Sequence, residues 1–466
     1  MELGKEDPIA LKRYPKKIIT SFQLGNLVGL MMSQIYKQQL TFFYLGVVGL
    51  EITLYVIAMI FYTLFNMFND PLLGYLCDKS TRFTKTLGKR FPFIMLGAIP
   101  WCFIVIFIYM PPSVEEIGQF GVFLWFLIFM CINDMVFSLY DINRVGLFPD
   151  KFRHPKDRKI GGAITTVLET VGVMLGVLIP VLTVEILGPD EGWRVQAIIV
   201  AFVSLIFIIL MIPGVREDQE MRERRSRLDL MEYVPFFKGL RIALKDKHFI
   251  GYVALFLAYS STMNLVMASI PFFVQDILLM SKIGEFIVFF YVIAVIISAG
   301  IWYKISFKIG IKNVTLIGAC CLAFMGIPFL FVPVGPEGLF LVILIFTLSG
   351  FVDGAIISML MPLFSSVVDN AALETGKRQE GLYNGIWMFF ARIGIAIRSI
   401  VFLIVAILFG YHSGSTDPAE LMGLRIQMSI FPMIIILTGI LIFWRLYQIT
   451  PEMIEINALK LKELKL

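Results

Sequence analysis

The stretch Asn69–Phe93, NDPLLGYLCDKSTRFTKTLGKRFPF, decides how the rest of this chain is read. It is a short polar segment between two long apolar runs. A carboxylate, Asp70, stands just before Pro71 near the end of the first run, and Lys79, Arg82, Lys85, Lys89 and Arg90 follow before the second begins. Outward from there the chain keeps the same alternation. Of its 466 residues 58% are apolar or aromatic and 16% are charged, with a mean hydropathy of +0.82. A soluble domain carries about 25% charged residues. The balance excludes a cytosolic globular enzyme, a nucleic-acid-binding protein and a disordered scaffold. The apolar residues come in unbroken runs rather than in alternation, which excludes a transmembrane β-barrel. A polytopic helical membrane protein remains.

A span needs about 20 mostly apolar residues. Twelve such runs occur, at 18–45, 51–76, 92–112, 119–147, 161–187, 194–214, 248–277, 283–306, 313–333, 339–367, 381–410 and 423–447. The segments 1–17, 77–91, 148–160, 215–247, 303–312, 368–380 and 445–466 hold 5, 5, 5, 9, 3, 2 and 4 Lys plus Arg, whereas the intervening short loops hold only Lys282. Thirty-three against one places both termini and the central loop on the cytoplasmic side of a cell membrane. The expected organisation is a six-helix half over 1–214, a cytoplasmic linker with an amphipathic surface helix over 215–247, a second half over 248–447 and a tail over 448–466. No removable signal peptide is expected before the first run. The five cysteines and three histidines lack metal-ligand spacing, so no metal site or other cofactor is expected. Asp150, Lys159 and Gly162 follow the fourth span at the spacing that Asp369, Arg378 and Gly381 keep after the tenth, a faint trace of two related halves. Parallel six-helix halves with a site at their interface form the major facilitator architecture.

Gly74, Asp78, Lys79, Gly88, Lys89 and Arg90 resemble the major facilitator loop signature, in which a glycine permits close packing and an acid and basic cluster form a breakable charge network. With Asn69, Asp70 and Pro71 before it, the chain resembles more narrowly the glycoside–pentoside–hexuronide:cation symporters, the melibiose-permease-like family. Val47–Leu50, Asp141 followed by Pro149, and Arg378, Glu380 and Gly381 extend the likeness over nearly the whole length. The resemblance implies an all-α fold of twelve transmembrane helices in two pseudo-symmetric halves, and symport of a small polar solute with sodium or a proton. It also carries a cation site onto Asn66 and Asp70 of the second span and Ser138 and Asp141 of the fourth, with Arg392 of the eleventh nearby. Asn66 stands where the family has a second acid, so it can offer a carbonyl oxygen but carry no proton. Leu168–Gly176 of the fifth span, with Glu169, Gly172 and Gly176, resembles the sodium-coupled lysophospholipid symporters and keeps an amphiphilic substrate open, as is an uncoupled uniporter.

Without the family, the ionisable residues inside the spans point the same way. Each costs about 2.5–3.5 kcal/mol at a helix centre and calls for a partner or an aqueous cavity. They are Lys37, Asp70, Asp134, Asp141, Arg144, Glu169, Asp353, Arg392 and Arg398. Asn66 and Asp70 share one helix face, as do Asp134 and Asp141. Asp70 reads as a cation ligand or a helix-end acid, Asp141 as a ligand or the bridge partner of Arg144, and Arg392 as a substrate contact or a locking bridge. Lys37 with Gln34 contacts substrate or snorkels, and Trp387 stacks on a sugar or packs in the core. The expected substrate set is therefore Gln34, Lys37, Asp141, Arg144, Glu169, Trp387 and Arg392, with Arg378 and Glu380 joining the loop network. No nucleophile–base pair or phosphate loop occurs, so no enzyme is expected. The expected partners are a small solute, a coupling cation and the bilayer, and the chain reads as a monomer.

Overall fold

A computed structural model describes residues 13–79, 87–152, 155–219, 221–222, 243–375 and 380–463. Among them twelve helices are long and apolar enough to cross a membrane: α1 Lys16–Gln38, α2 Ile52–Asp70, α3 Phe91–Tyr109, α4 Val114–Phe148, α5 Ile160–Pro189, α6 Glu191–Val215, α7 Lys247–Asp276, α8 Gly284–Ile309, α9 Ile311–Phe331, α10 Pro336–Leu373, α11 Phe389–Phe409 and α12 Pro418–Leu446. Several of these helices continue past the span: α2 to Lys79, α4 to Lys151 and α10 to Thr375, with α5 reaching back to Pro155 and α11 back to Glu380. The boundaries follow local chemistry. Ser113 opens α4 with a capping box: its hydroxyl accepts from Glu116 N at 3.2 Å and the Glu116 carboxylate accepts from Ser113 N at 3.0 Å. The first run is shorter as a helix than its apolar length predicts, because beyond Gln38 the chain breaks into a short helix, Leu40–Phe42, and a π-helical turn, Phe43–Val47.

The packing repeats with an offset of six helices. α1 lies on the α5–α6 pair and α7 on α12; α2 packs on α4 and α8 on α10; α3 packs on α4 and α9 on α10. These are two six-helix halves of one design, which meet where α2 faces α11, where the α5–α6 pair faces the turn Lys282–Phe286 that opens α8, and where α1 faces α7. The α1–α5 contact is close because α5 presents glycines. A Cβ at Gly176 would stand 2.6 Å from the Met31 carbonyl oxygen, and one at Gly172 would overlap the Leu27 carbonyl. The α5 glycines singled out in the sequence therefore have a packing reason.

An even number of spans puts both ends of the described chain on one face, here the terminal face. Most of the linker expected to hold an amphipathic helix lies outside the described residues. Its first residues cap α3: the Glu217 carboxylate accepts from the backbone N–H of Lys89, Arg90 and Phe91 at 3.3, 2.6 and 3.1 Å. Gly88, at φ 97°, turns the chain so that this carboxylate fits against it. Beyond α12 the tail forms a further helix, α13, Pro451–Glu463, which reaches α10 through Asn457 Nδ2 donating to Asn370 Oδ1 at 3.3 Å.

On the opposite face the halves are joined. Gln38 and Gln39, at the end of α1, both donate side-chain N–H groups to Glu285 Oε2 at 2.6 Å, and all three residues are buried. Phe42 packs edge-on against Phe272 of α7, with ring centroids 5.0 Å apart.

Candidate functional site

Between the halves lies a cavity of about 170 Å³. α1 contributes Ser33, Tyr36 and Lys37; α2 and α3 add Tyr62 and Trp101; α4 brings Asn133 and Asp134. The second half supplies Asn264, Arg392 and Arg398. Because α1, α2 and α4 come from one half and α7 and α11 from the other, the cavity changes shape whenever the halves move.

Its acidic end is built by α2 and α4. Asp134 is 2% exposed and takes three donors from α2: Asn66 Nδ2 at 2.6 Å, Asn69 Nδ2 at 3.2 Å and the Tyr62 hydroxyl at 3.4 Å. One turn along α2 from Asn66, Asp70 accepts from Arg392 of α11 at 2.8 Å. Arg392 also lies within electrostatic reach of Asp134. This places a bridge across the two halves next to a second, amide-bound carboxylate. Among the described residues three oxygens here are buried without a hydrogen-bond partner: Asn66 Oδ1, Asp70 Oδ1 and Ser138 Oγ, the last one turn from Asp134 on the same face of α4. Buried polar oxygens are ordinarily satisfied. A cluster of them around two carboxylates is the donor set that a hard cation takes.

The carboxylate of α4 that meets α2 is thus Asp134, and Asp141 is not part of this cluster. Seven residues further along, Asp141 pairs with Arg144 on its own helix at 2.8 Å and stays partly open. Arg144 lies over the Tyr140 ring at 5.5 Å and within reach of Glu169, so Asp141, Arg144 and Glu169 form a separate charge cluster between α4 and α5. Neither this trio nor Gln34 or Trp387 lines the 170 Å³ cavity. Gln34 instead donates to Gln38 at 3.0 Å, feeding the seal at Glu285. Trp387 is buried among Tyr252, Phe256 and Phe364, because the helix turn that holds it faces the apolar interior of the second half. Of the expected substrate residues, Lys37 and Arg392 line the cavity.

In the loop network, Gly88, Lys89 and Arg90 meet Glu217 as described, and Arg90 crosses α4 at Gly146, where a Cβ would overlap its guanidinium. Arg378 lies outside the described residues, as do the side chains of Asp78, Lys79 and Glu380; Gly74 sits in the helix that extends α2.

A family model described as MFS/sugar transport protein matches residues 21–451. The chain belongs to this family. As a member of it, the chain is a multi-pass membrane transporter and not an enzyme. A mouse sodium-dependent lysophosphatidylcholine symporter is 23% identical, over 99% of this chain and 92% of the relative. The isoprimeverose transporter of Lactiplantibacillus pentosus is 22% identical, over 93% of this chain and 89% of the relative. The crystal structure of the nucleoside transporter NupG, as its D323A mutant, superposes with a TM-score of 0.63 at 13% identity, covering 92% of this chain and 99% of that one. That likeness is one of fold, and it matches the twelve-helix architecture described above.

Asp134, Asn133, Tyr36, Tyr62, Trp101 and Arg398 belong to the cavity of this MFS transporter but not to the site expected from sequence. The signal for Asp134 was present: an Asn–Asp pair mid-span, two helical turns before Asp141.

Proposed function

We propose that the protein is a cation-coupled symporter that carries a small polar solute by alternating exposure of the cavity between its halves. The observation that carries the reading is the Asp70–Arg392 bridge beside amide-bound Asp134, with the partnerless oxygens of Asn66, Asp70 and Ser138 around them. A sodium ion or proton entering this cluster competes with Arg392 for Asp70. The bridge between halves loosens as the site fills, and Arg392 turns to the solute. That exchange links the two ligands thermodynamically, each raising the affinity for the other. The coupling ion acts as cargo, and no cofactor takes part.

The cavity supports a small solute over a whole lipid, since 170 Å³ is below the roughly 300–1,000 Å³ of pockets for drug-sized ligands. Its amides, hydroxyls and the Trp101 ring suit a glycoside, pentoside or hexuronide. The lysophospholipid reading rests on the mouse relative, whose match covers 99% of this chain. The Lys and Arg asymmetry between loops supports a cell membrane with both termini in the cytoplasm. Nothing in the cavity calls for a second copy or for nucleic acid; the working unit in this reading is a monomer in the bilayer.

Purified protein in proteoliposomes tests it. Uptake of a glycoside, a glucuronide and lysophosphatidylcholine is followed with an inward sodium gradient, an inward proton gradient, or neither. Concentrative uptake of one solute under one gradient is expected. Uptake that only equilibrates under every gradient would make the protein a uniporter.

A further inference from the structure

The cavity carries an unbalanced positive charge. Among the described residues its charged lining is Lys37, Asp134, Arg392 and Arg398, and Asp70 neutralises Arg392. With both acids ionised, one positive charge remains. Its place is as informative as its sign. Asp134 and Asp70 gather at Arg392, whereas the charges that act most strongly on Lys37 are Arg398 and then Arg392, both of its own sign. Arg398 is 3% exposed, meets the Tyr55 hydroxyl, and leaves Nε buried without a hydrogen-bond partner among the described residues. Among the described residues no carboxylate stands within ion-pair distance of Lys37 or Arg398. Six residues of α11 separate Arg392 from Arg398, about 9 Å along the axis. The cavity thus has an acidic end and a basic end.

Two cations facing each other inside a membrane protein repel, and a buried guanidinium without an anion is strongly penalised. Lys37 gains partial relief from the carbonyl end of α1, in whose last turn it lies. Arg398 stands mid-helix and has no such help. A guanidinium and an ammonium lining one cavity without a carboxylate beside either are the recognition chemistry of an oxyanion.

We propose that the transported solute is an anion whose carboxylate or phosphate docks between Lys37 and Arg398. Lys37 belongs to the first half and Arg398 to the second, so the anion draws the halves together on the side already closed by Gln38, Gln39 and Glu285. Ser33, Tyr36, Asn133 and Asn264 then take the polar body of the solute. One monovalent cation at the acidic end and one monovalent anion at the basic end add no net charge, so loaded and empty carriers move the same charge. This inference rests on the symport reading for its coupling and on the cavity alone for its anion.

The test separates the two. Binding is read first, without any gradient, as thermal stabilisation of the purified full chain by methyl glucoside, the matching glucuronide, a sugar phosphate and lysophosphatidylcholine. At least one anion is expected to stabilise wild type at concentrations where the glucoside does not. Its affinity should fall at least about tenfold in Lys37→Gln and in Arg398→Gln and return in Lys37→Arg. Which ligand binds tells a sugar acid from a sugar phosphate or from the phosphate of a zwitterionic lipid headgroup. The glucoside binding as well as its glucuronide, or no anion binding at all, overturns the proposal, and this wild-type comparison stands even where a variant does not fold. Uptake is read second. Accumulation of a monovalent anion such as the glucuronide with one cation should ignore an imposed potential, whereas a neutral solute moving with one cation would gain about 50-fold per 100 mV. Anion binding that depends on Lys37 and Arg398, without cation-driven uptake, would retain the anion site and remove the symport reading.

Discussion

Replacing Asp134 with Asn separates the site assembled by the fold from the one carried over by position. Asp134 accepts from Asn66, Asn69 and Tyr62, and its substitution exchanges one carboxylate oxygen for an amide donor. Asn66 or Asn69 must turn its amide oxygen inward to pair with that donor, and no remaining hydrogen bond is to a charged group, a loss of about 1.5–3 kcal/mol. The larger effect falls on the ion. A unit positive charge about 4 Å from a carboxylate gains about 4 kcal/mol at an effective dielectric of 20. Water in the cavity trims this, so about 2–4 kcal/mol is expected to vanish with the charge, a roughly 30- to 1,000-fold rise in the half-saturating cation concentration. Asp141→Asn is the matched control: its partner is Arg144 on the same helix, and it stands outside the cluster. Sodium and proton titrations of uptake, with cation-dependent thermal stabilisation as an independent reading, measure both variants. Wild-type cation dependence in Asp134→Asn together with its loss in Asp141→Asn would refute the reasoning and restore the positional assignment.

Two further outcomes follow from the packing. Glu285→Gln removes the charge that Gln38 and Gln39 share, and each bond to a charged group is worth about 1.5–3 kcal/mol. The closed state on that face should weaken, and a cysteine introduced at Ser33 should react faster with an impermeant maleimide applied from the face opposite the termini; an unchanged rate would show that the seal lies elsewhere. Gly176→Ala should lower thermal stability by about 1–3 kcal/mol, because its Cβ meets the Met31 carbonyl oxygen at 2.6 Å, whereas Gly162→Ala on the same helix, with nothing within 4 Å among the described residues, should be neutral or stabilising. Equal effects of the two in a detergent melting assay would remove the close α1–α5 contact from the argument.

The amino-acid order alone was enough for the number of spans, their grouping in sixes and the membrane class. Hydrocarbon demands long apolar helices whatever surrounds them, so span length is a local property written in runs such as 194–214. Asn66 and Asp70 were likewise legible as one helix face, since four residues make about one turn. What faces that pair was not legible. Asp134 and Asp141 are two turns apart on the same face of α4, and only the relative height of α2 and α4 decides which carboxylate meets Asn66. The same holds for Arg392 reaching Asp70 across 322 residues of chain, for Trp387 turning into an apolar cluster, and for Lys37 and Arg398 converging on one cavity. Periodicity sets which residues share a face, but axial offset and helix-to-helix distance come from packing, where glycines such as Gly172 and Gly176 allow one backbone to approach another.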